Sequence, residues 1–327
     1  MATYKGIEGF TIQSFSADPP TPVIGQVWYN STSNVLKGYA SVTGAWASAP
    51  SMNTARRGNC GAGSQTAALT IAGNDAGPIT AKTEEFNGSS WTEVGDLGTA
   101  RYEMANAGTT TAALVAGGYN NVVQQTKAET YNGTAWTEVA DINSIRTKFQ
   151  EGIGTQTAAL AVGGRIAPGF LDLVEEYNGT GWTAIAALNT ARADGMAGGS
   201  STAGLTVGGQ SAAGVTGDTE TFNGTSWTEV TNLTTTRLGA ASAFQASNTT
   251  SLIYGGDTGG GARVQAETEE WNGTAWTEVG DLATAVKHQS GSGTAGAALS
   301  AGGENPPFSA QTEVWNAGPT TVTFTSS

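Results

Sequence analysis

RYEMANAGTTTAALVAGGYNNVVQQTKAETYNGTAWTEVADINSIR, residues 101–146, decides the fold, because most of the chain repeats it. The phrase NGTAWTEV stands at 132–139 and again, letter for letter, at 272–279. Cognate phrases mark three further copies: FNGSSWTEV, YNGTGWTAI and FNGTSWTEV. Trp46, Trp91, Trp136, Trp182, Trp227 and Trp276 follow at intervals of 45, 45, 46, 45 and 49 residues, with Trp46 in the looser YASVTGAWASA. A period of this size marks a supersecondary unit that was copied.

Within the unit, the turn-like GTTT leads to AALVAGG, an apolar run closed by two glycines, and both flanks read as strands. TKAETY then alternates polar and apolar residues, and AWTEVADI runs back as a fourth strand. Asn132-Gly133 between them predicts a two-residue hairpin turn with positive φ. The unit is therefore expected to be a four-stranded meander. Such a unit cannot bury both faces alone, so copies stack, and right-handed strand twist curls the stack into a ring. The crowded strand nearest the axis is assigned to the TAAL-like runs, with Ala112, Ala113, Ala158, Ala159, Ala297 and Ala298. The Trp residues and the aromatics five places before them, Phe86, Tyr131, Tyr177, Phe222 and Trp271, belong where the wedge between units widens.

Composition agrees with an all-β chain: 47 Gly among 327 residues and only 13% charged side chains suit short strands and tight turns. A formal charge of -13 disfavours nucleic acid and anionic membrane surfaces as partners. Cys60 and His288 are the only cysteine and histidine, which removes intrachain disulfides and any His or Cys cluster for zinc, copper or iron. No metal and no cofactor are expected. MATYKGIEGF does not read as an export signal, and no apolar run approaches the roughly 20 residues of a membrane helix, so no membrane insertion is expected.

A Gly-Gly pair, Glu two residues before an aromatic, then Trp, then Arg ten residues on resembles the kelch repeat of β-propellers across 46–318. The doubled glycines stand at 117-118, 163-164, 208-209, 255-256 and 302-303, and the first copy departs with Ala72-Gly73. The resemblance implies an all-β kelch-type propeller of six blades, each of four antiparallel strands. The Trp46 strand would close the ring by completing the blade begun by 288–318. Seven blades is the alternative, if GQVWYN, NVLKGY and GAWASA form strands of their own. Residues 1–45 would be an attachment segment with a β-hairpin and 319–327 a C-terminal strand or tail. The NGT-rich dialect, with GQVWYNSTSNVLKGY, further resembles virion structural and tail-fibre proteins of marine bacteriophages. That likeness implies a place on a phage particle's surface or tail, other virion proteins as partners, and a host-surface glycan or protein as a further one.

Two periodic rings of charge stand out. Arg56, Arg101, Arg146, Arg192 and Arg237 lie ten residues after a Trp, with Lys287 eleven after Trp276. Glu84, Glu129, Glu175, Glu220, Glu269 and Glu313 lie two before the third-strand aromatic. Either the cations grip an anionic ligand at a channel mouth, or each satisfies a Glu and fixes the geometry of the unit; equal number and period favour the structural reading. The segments after the glycines all differ and should emerge on one face. They offer Tyr119, Asn120, Asn121, Arg165, Phe170, Asp172, Asp257, Arg263, Asn305 and Phe308 for a sugar or protein surface, or they drift and bind nothing. Asn87, Asn132, Asn178, Asn223 and Asn272 match the N-glycosylation pattern only because the turn demands Asn-Gly. No catalytic residue is assigned: one His cannot build a copper site, and AVKHQSGSG around it reads as an ordinary inner strand. The reading is a non-enzymatic virion component, with a carbohydrate-active enzyme or a cellular kelch adaptor as alternatives.

Overall fold

A computed structural model describes residues 12–23, 25–75, 77–149, 151–259 and 264–324, and among them every regular element is a strand. The chain divides into two compact units, 1–44 with 317–327, and 45–316. In the first, Gln13–Phe15 runs parallel to Val27–Asn30, which turns through 31–34 into the antiparallel start of Val35–Ala49. Trp28 is fully buried there, and its indole donates to the Asp18 carboxylate at 3.1 Å. Lys37 at 2.7 Å and Asn30 at 2.8 Å also donate to Asp18. The Lys37 bond leads these donors in lowering the Asp18 pKa to about 2.

The second unit is built of antiparallel four-stranded sheets in sequence order. Sheet I comprises Cys60–Ser64, Ala67–Asn74, Ile79–Phe86 and Trp91–Glu93. Sheet II comprises Ala105–Thr109, Ala112–Ala116, Ala128–Tyr131 and Trp136–Val139. Sheet III has Ile153–Thr155, Ala158–Val162, Val174–Tyr177 and Trp182–Ala184; sheet IV has Met196–Ser200, Ala203–Ser211, Gly214–Phe222 and Trp227–Val230. Sheet V has Ala241–Ser242, Ser251–Tyr254, Thr268–Trp271 and Trp276–Glu278. Sheet VI begins with Ser290–Thr294, Ala297–Ala301 and the first residues of Thr312–Phe324, and the end of Val35–Ala49 lies next to these in strand order.

The first strand of each sheet touches the first strands of the sheets before and after it, I to II and onward to VI, and VI touches I. Crowding is therefore greatest on the first strands, CGAGS, ANAGT and SGSGT among them. A Cβ on Gly61 would fall on the Gly291 carbonyl of sheet VI, and one on Gly291 on the Ser242 carbonyl of sheet V. The TAAL-like runs, expected at this crowded position, form the second strands instead. Their alanines pack between the first strand and the aromatic third, where Ala113 faces Tyr131 in register.

The turn before each Trp also differs from the expected two-residue hairpin. Tyr131 pairs with Trp136, so four residues, 132–135, form the loop. Only Gly133 takes positive φ, at 90°, while the Asn132 side-chain oxygen accepts the amides of Thr134 and Ala135 at 2.9 Å each. Asn is needed as a side-chain acceptor, not for its own backbone freedom.

Between sheets the Trp residues do the joining. The Trp136 indole donates to Thr83 of sheet I at 3.2 Å, Trp182 to the Ala140 carbonyl at 2.9 Å, and Trp227 to the Ala186 carbonyl at 3.1 Å. Trp276 donates to Thr219 of sheet IV at 3.3 Å, Trp46 to Thr268 of sheet V at 3.0 Å, and Trp91 to Thr312 of sheet VI at 3.1 Å. Trp46 also lies edge-on to Tyr254, 4.6 Å between ring centroids. Each of the five later Trp rings packs on the aromatic across its loop at 4.9 to 5.2 Å. Such pairs contribute about 1 kcal/mol each beyond their burial.

Candidate functional site

The periodic Arg and Glu residues meet one another inside the sheets. Arg56 reaches Glu84 at 3.1 Å, Arg101 reaches Glu129 at 2.6 Å, and Arg146 reaches Glu175 at 2.7 Å. Arg192 reaches Glu220 at 3.1 Å and Arg237 reaches Glu269 at 2.6 Å. All five guanidinium groups are fully buried, so they offer no exposed fork to an anion. Burial pulls the pKa of Arg56, Arg146 and Arg192 below the ordinary value, against the opposing pull of Glu84, Glu175 and Glu220. The carboxylates also accept backbone amides from the segment entering their own sheet: Glu175 takes Asn143 N at 2.7 Å and Ser144 N at 3.2 Å. The pairs thus clamp the crossover between one sheet and the next.

Lys287 does not join this set. The position ten residues after Trp276 is Val286, whose side chain is buried where an arginine stands in the other sheets. Lys287 instead pairs with Asp257 at 2.7 Å and lies 3.9 Å from Glu304. Glu313 is left with the amides of Ala283 and Thr284, at 2.8 and 3.2 Å. Counting ten from each Trp, rather than seeking the nearest cation, would have found this from sequence.

Two residues beyond the arginine position the sheets make a second, closed set of contacts. Gly58, Glu103, Lys148, Asp194, Gly239 and His288 each stand twelve residues after a Trp. All six take positive φ, between 53° and 62°. Each amide donates to the carbonyl of the preceding member: Glu103 to Gly58 at 2.9 Å, Lys148 to Glu103 at 3.1 Å, and Asp194 to Lys148 at 2.9 Å. Gly239 donates to Asp194 at 2.7 Å, His288 to Gly239 at 2.6 Å, and Gly58 to His288 at 2.8 Å. Around this cycle the backbone is alike while the side chains differ. His288, expected in an ordinary inner strand, is a member of the cycle, and its strand begins at Ser290.

Inside the cycle lies a cavity of about 60 Å³, lined among others by Asn59, Glu103, Lys148, Glu151, Asp194 and His288. Lys148 bridges Asp194 at 2.6 Å and Glu103 at 3.5 Å. Burial works against its charge, but the two carboxylates outweigh it and hold the Lys148 pKa above the ordinary value. Burial raises Glu103 despite Lys148.

Glu151 enters the cavity through an irregularity of the repeat. Gly154 stands six positions after Lys148, whereas Gly63 stands five after Gly58 and Gly108 five after Glu103. The extra length carries the Glu151 carboxylate to sheet V, where its Oε2 accepts Ser242 N at 2.6 Å and Ser242 Oγ at 2.7 Å. Burial pushes its pKa up to about 8 even though both bonds favour the charged form. Cys60 also lines the cavity, and burial pushes its thiol up to about 12.

The variable loops leave the sheets beside this cycle, because the residue before each member pairs with the residue that opens a loop: Arg57 with Asn74, Tyr102 with Tyr119, Thr147 with Arg165. Tyr119 lies edge-on to Tyr102 at 5.7 Å. Asn120 is spent on the turn, accepting Val122 N and Val123 N at 3.0 and 2.8 Å, while Asn121 is exposed at φ 67°. Arg165 covers Phe170 at 5.3 Å within the two-stranded Arg165–Ile166 and Gly169–Phe170 hairpin, with Asp172 exposed beyond it. Arg57 covers Phe308 at 5.4 Å, and Asn305 is exposed nearby in the chain. Asp257 is buried on Lys287, so it is a structural ligand of that lysine. Arg263 lies outside the described residues.

Among the described residues no group of three or more His, Cys, Asp or Glu is arranged to hold a metal ion. A comparison with protein-family models finds no match, and a comparison with curated proteins finds no relative.

Proposed function

We propose that the second unit is a six-bladed β-propeller whose last blade is completed by the Trp46 strand, and that it works as a non-catalytic binding module. The observation that carries this reading is the cycle of six amide-to-carbonyl bonds from Gly58 round to His288 and back. The matching cycle of Trp indoles, in which Trp46 bonds sheet V and Trp91 bonds sheet VI, supports the same closure. Among the described residues the cycle has six backbone members, which supports six blades over seven.

The binding role rests on where the repeat is kept and where it is abandoned. Buried Arg–Glu clamps and Trp joints recur with the period, whereas the neighbouring loops differ in every copy and the cycle residue is glycine in two copies and a different side chain in each of the other four. Interaction surfaces are placed this way on rigid scaffolds. The stacked pairs Arg57–Phe308 and Arg165–Phe170 and the edge-on pair Tyr102–Tyr119 bring flat rings and hydrogen-bond donors to the loops, which suits a sugar or a protein surface. The kelch-like and phage-like phrasing of the sequence is what supports a place in a virion, as a tail, fibre or decoration module fixed to other particle proteins.

Incubating the purified chain with glycans from a candidate host surface tests this reading. Retention without cleavage is the expected result. Cleaved products would replace it with a carbohydrate-active enzyme, and absence of both would leave a purely structural component.

A further inference from the structure

The cavity inside the cycle offers more acceptors than donors. Glu103, Asp194 and Glu151 bring three carboxyl groups to it, against one ammonium from Lys148 and the His288 ring. Asn59 and Gln289, 5% and 2% exposed, line the same cavity and spend their amide hydrogens elsewhere. Asn59 Nδ2 donates to Thr70 Oγ1 at 2.6 Å and to the Ala301 carbonyl at 3.2 Å, and Gln289 Nε2 donates to the Tyr254 carbonyl at 3.0 Å. These bonds settle which way each amide points. Asn59 Oδ1 and Gln289 Oε1 have no hydrogen-bond partner, an arrangement that buried carbonyl oxygens rarely keep.

We propose that this cavity binds a primary ammonium group, with the Glu151 carboxyl, which gives up its proton to solvent as the ammonium enters, as its counter-charge and the Asn59 and Gln289 carbonyls as further acceptors. A cation with several N–H donors suits acceptors spread around a wall, whereas a metal ion needs ligands converging on one point, and no such set of His, Cys, Asp or Glu is present among the described residues. The placing of Glu151 is specific to one copy in the repeat, through the added residue between Lys148 and Gly154. The proposal rests on the propeller reading and names the chemistry of its axial site. The ammonium could be that of a free small amine or of a lysine on a partner protein, drawn by a net charge of -13.

The test uses the intact chain and its melting midpoint at constant ionic strength, in methylammonium, tetramethylammonium or sodium chloride, and with a lysine-bearing peptide or its Nε-acetylated form. A saturable rise with methylammonium or the lysine peptide is expected, absent with tetramethylammonium, which carries the charge without N–H donors. Glu151→Gln and Gln289→Met, each an acceptor lost at similar volume, should weaken binding at least tenfold, and exposed Glu229→Gln should leave it unchanged. A response to methylammonium assigns a free amine; a response to the peptide alone, lost on acetylation, assigns a protein-borne lysine. No saturable response to either, a tetramethylammonium response of equal size, or unchanged binding in both acceptor variants overturns the site. That failure is separable from failure of the propeller reading, which is tested by removing Trp46.

Discussion

Replacing Glu175 by Gln removes one charge from a fully enclosed pair and nothing from its shape. The carboxylate is 1% exposed and receives Arg146 Nη1 at 2.7 Å, Asn143 N at 2.7 Å, Asn143 Nδ2 at 2.8 Å and Ser144 N at 3.2 Å. An amide has one accepting oxygen, so one of its ends must turn a donor toward donors. Facing Arg146, it leaves a buried guanidinium uncompensated; facing Asn143, it loosens the crossover between sheets II and III. Breaking a buried pair from one side costs about 3–5 kcal/mol. At roughly 2 °C per kcal/mol for a body of this size, the midpoint should fall by about 6–10 °C. Urea unfolding and thermal melting both read this, and Arg146→Met combined with Glu175→Gln should recover most of the loss, because no buried charge is then left alone. A loss below about 1 kcal/mol for the single change would refute the clamp as a stabilising element, since it would place the pair at the level of an exposed one.

Three further outcomes follow from the same geometry. Trp46→Ala should cost about 3 kcal/mol, the low end for an aromatic truncation, and match Trp136→Ala, as both are half-buried with one indole bond to a neighbouring sheet; unchanged urea unfolding would count against closure through Trp46. Val286→Arg should bring a guanidinium to Glu313, so that Glu313→Gln, mild in the natural chain, becomes costly in that background; a double-mutant cycle should show a coupling of about 2 kcal/mol. Burial pushes the Glu151 pKa up to about 8 in the fold, while the unfolded carboxyl ionises near the ordinary 4.5, so the native state binds the extra proton between these values. Stability should therefore fall as pH rises from 4.5 toward 8, by up to about 5 kcal/mol from this group, and stability curves of Glu151→Gln should lack that slope.

The period, the four strands per unit and the pairing of Arg with Glu were legible in sequence because each is local and written several times. Arg101 and Glu129 lie 28 residues apart inside one copy, so their equal recurrence was enough to match them. The same logic misplaced Lys287, where nearness to the expected position outweighed the count that leads to Val286. It also put the TAAL-like runs on the most crowded strand, because small residues occupy both first and second strands and composition does not rank them.

By itself, then, the sequence determined an all-β chain of repeated four-stranded units, with Trp where neighbouring units meet and Arg and Glu recurring in step, since these follow from short-range patterns that any one copy contains. Only the tertiary structure decided what stands inside the cycle. Glu151 meets Ser242 across 91 residues, and Gly58 bonds His288 across the whole array, contacts that no single copy can encode. They exist because identical backbones bring non-identical side chains to one place, and their chemistry depends on which of them converge there.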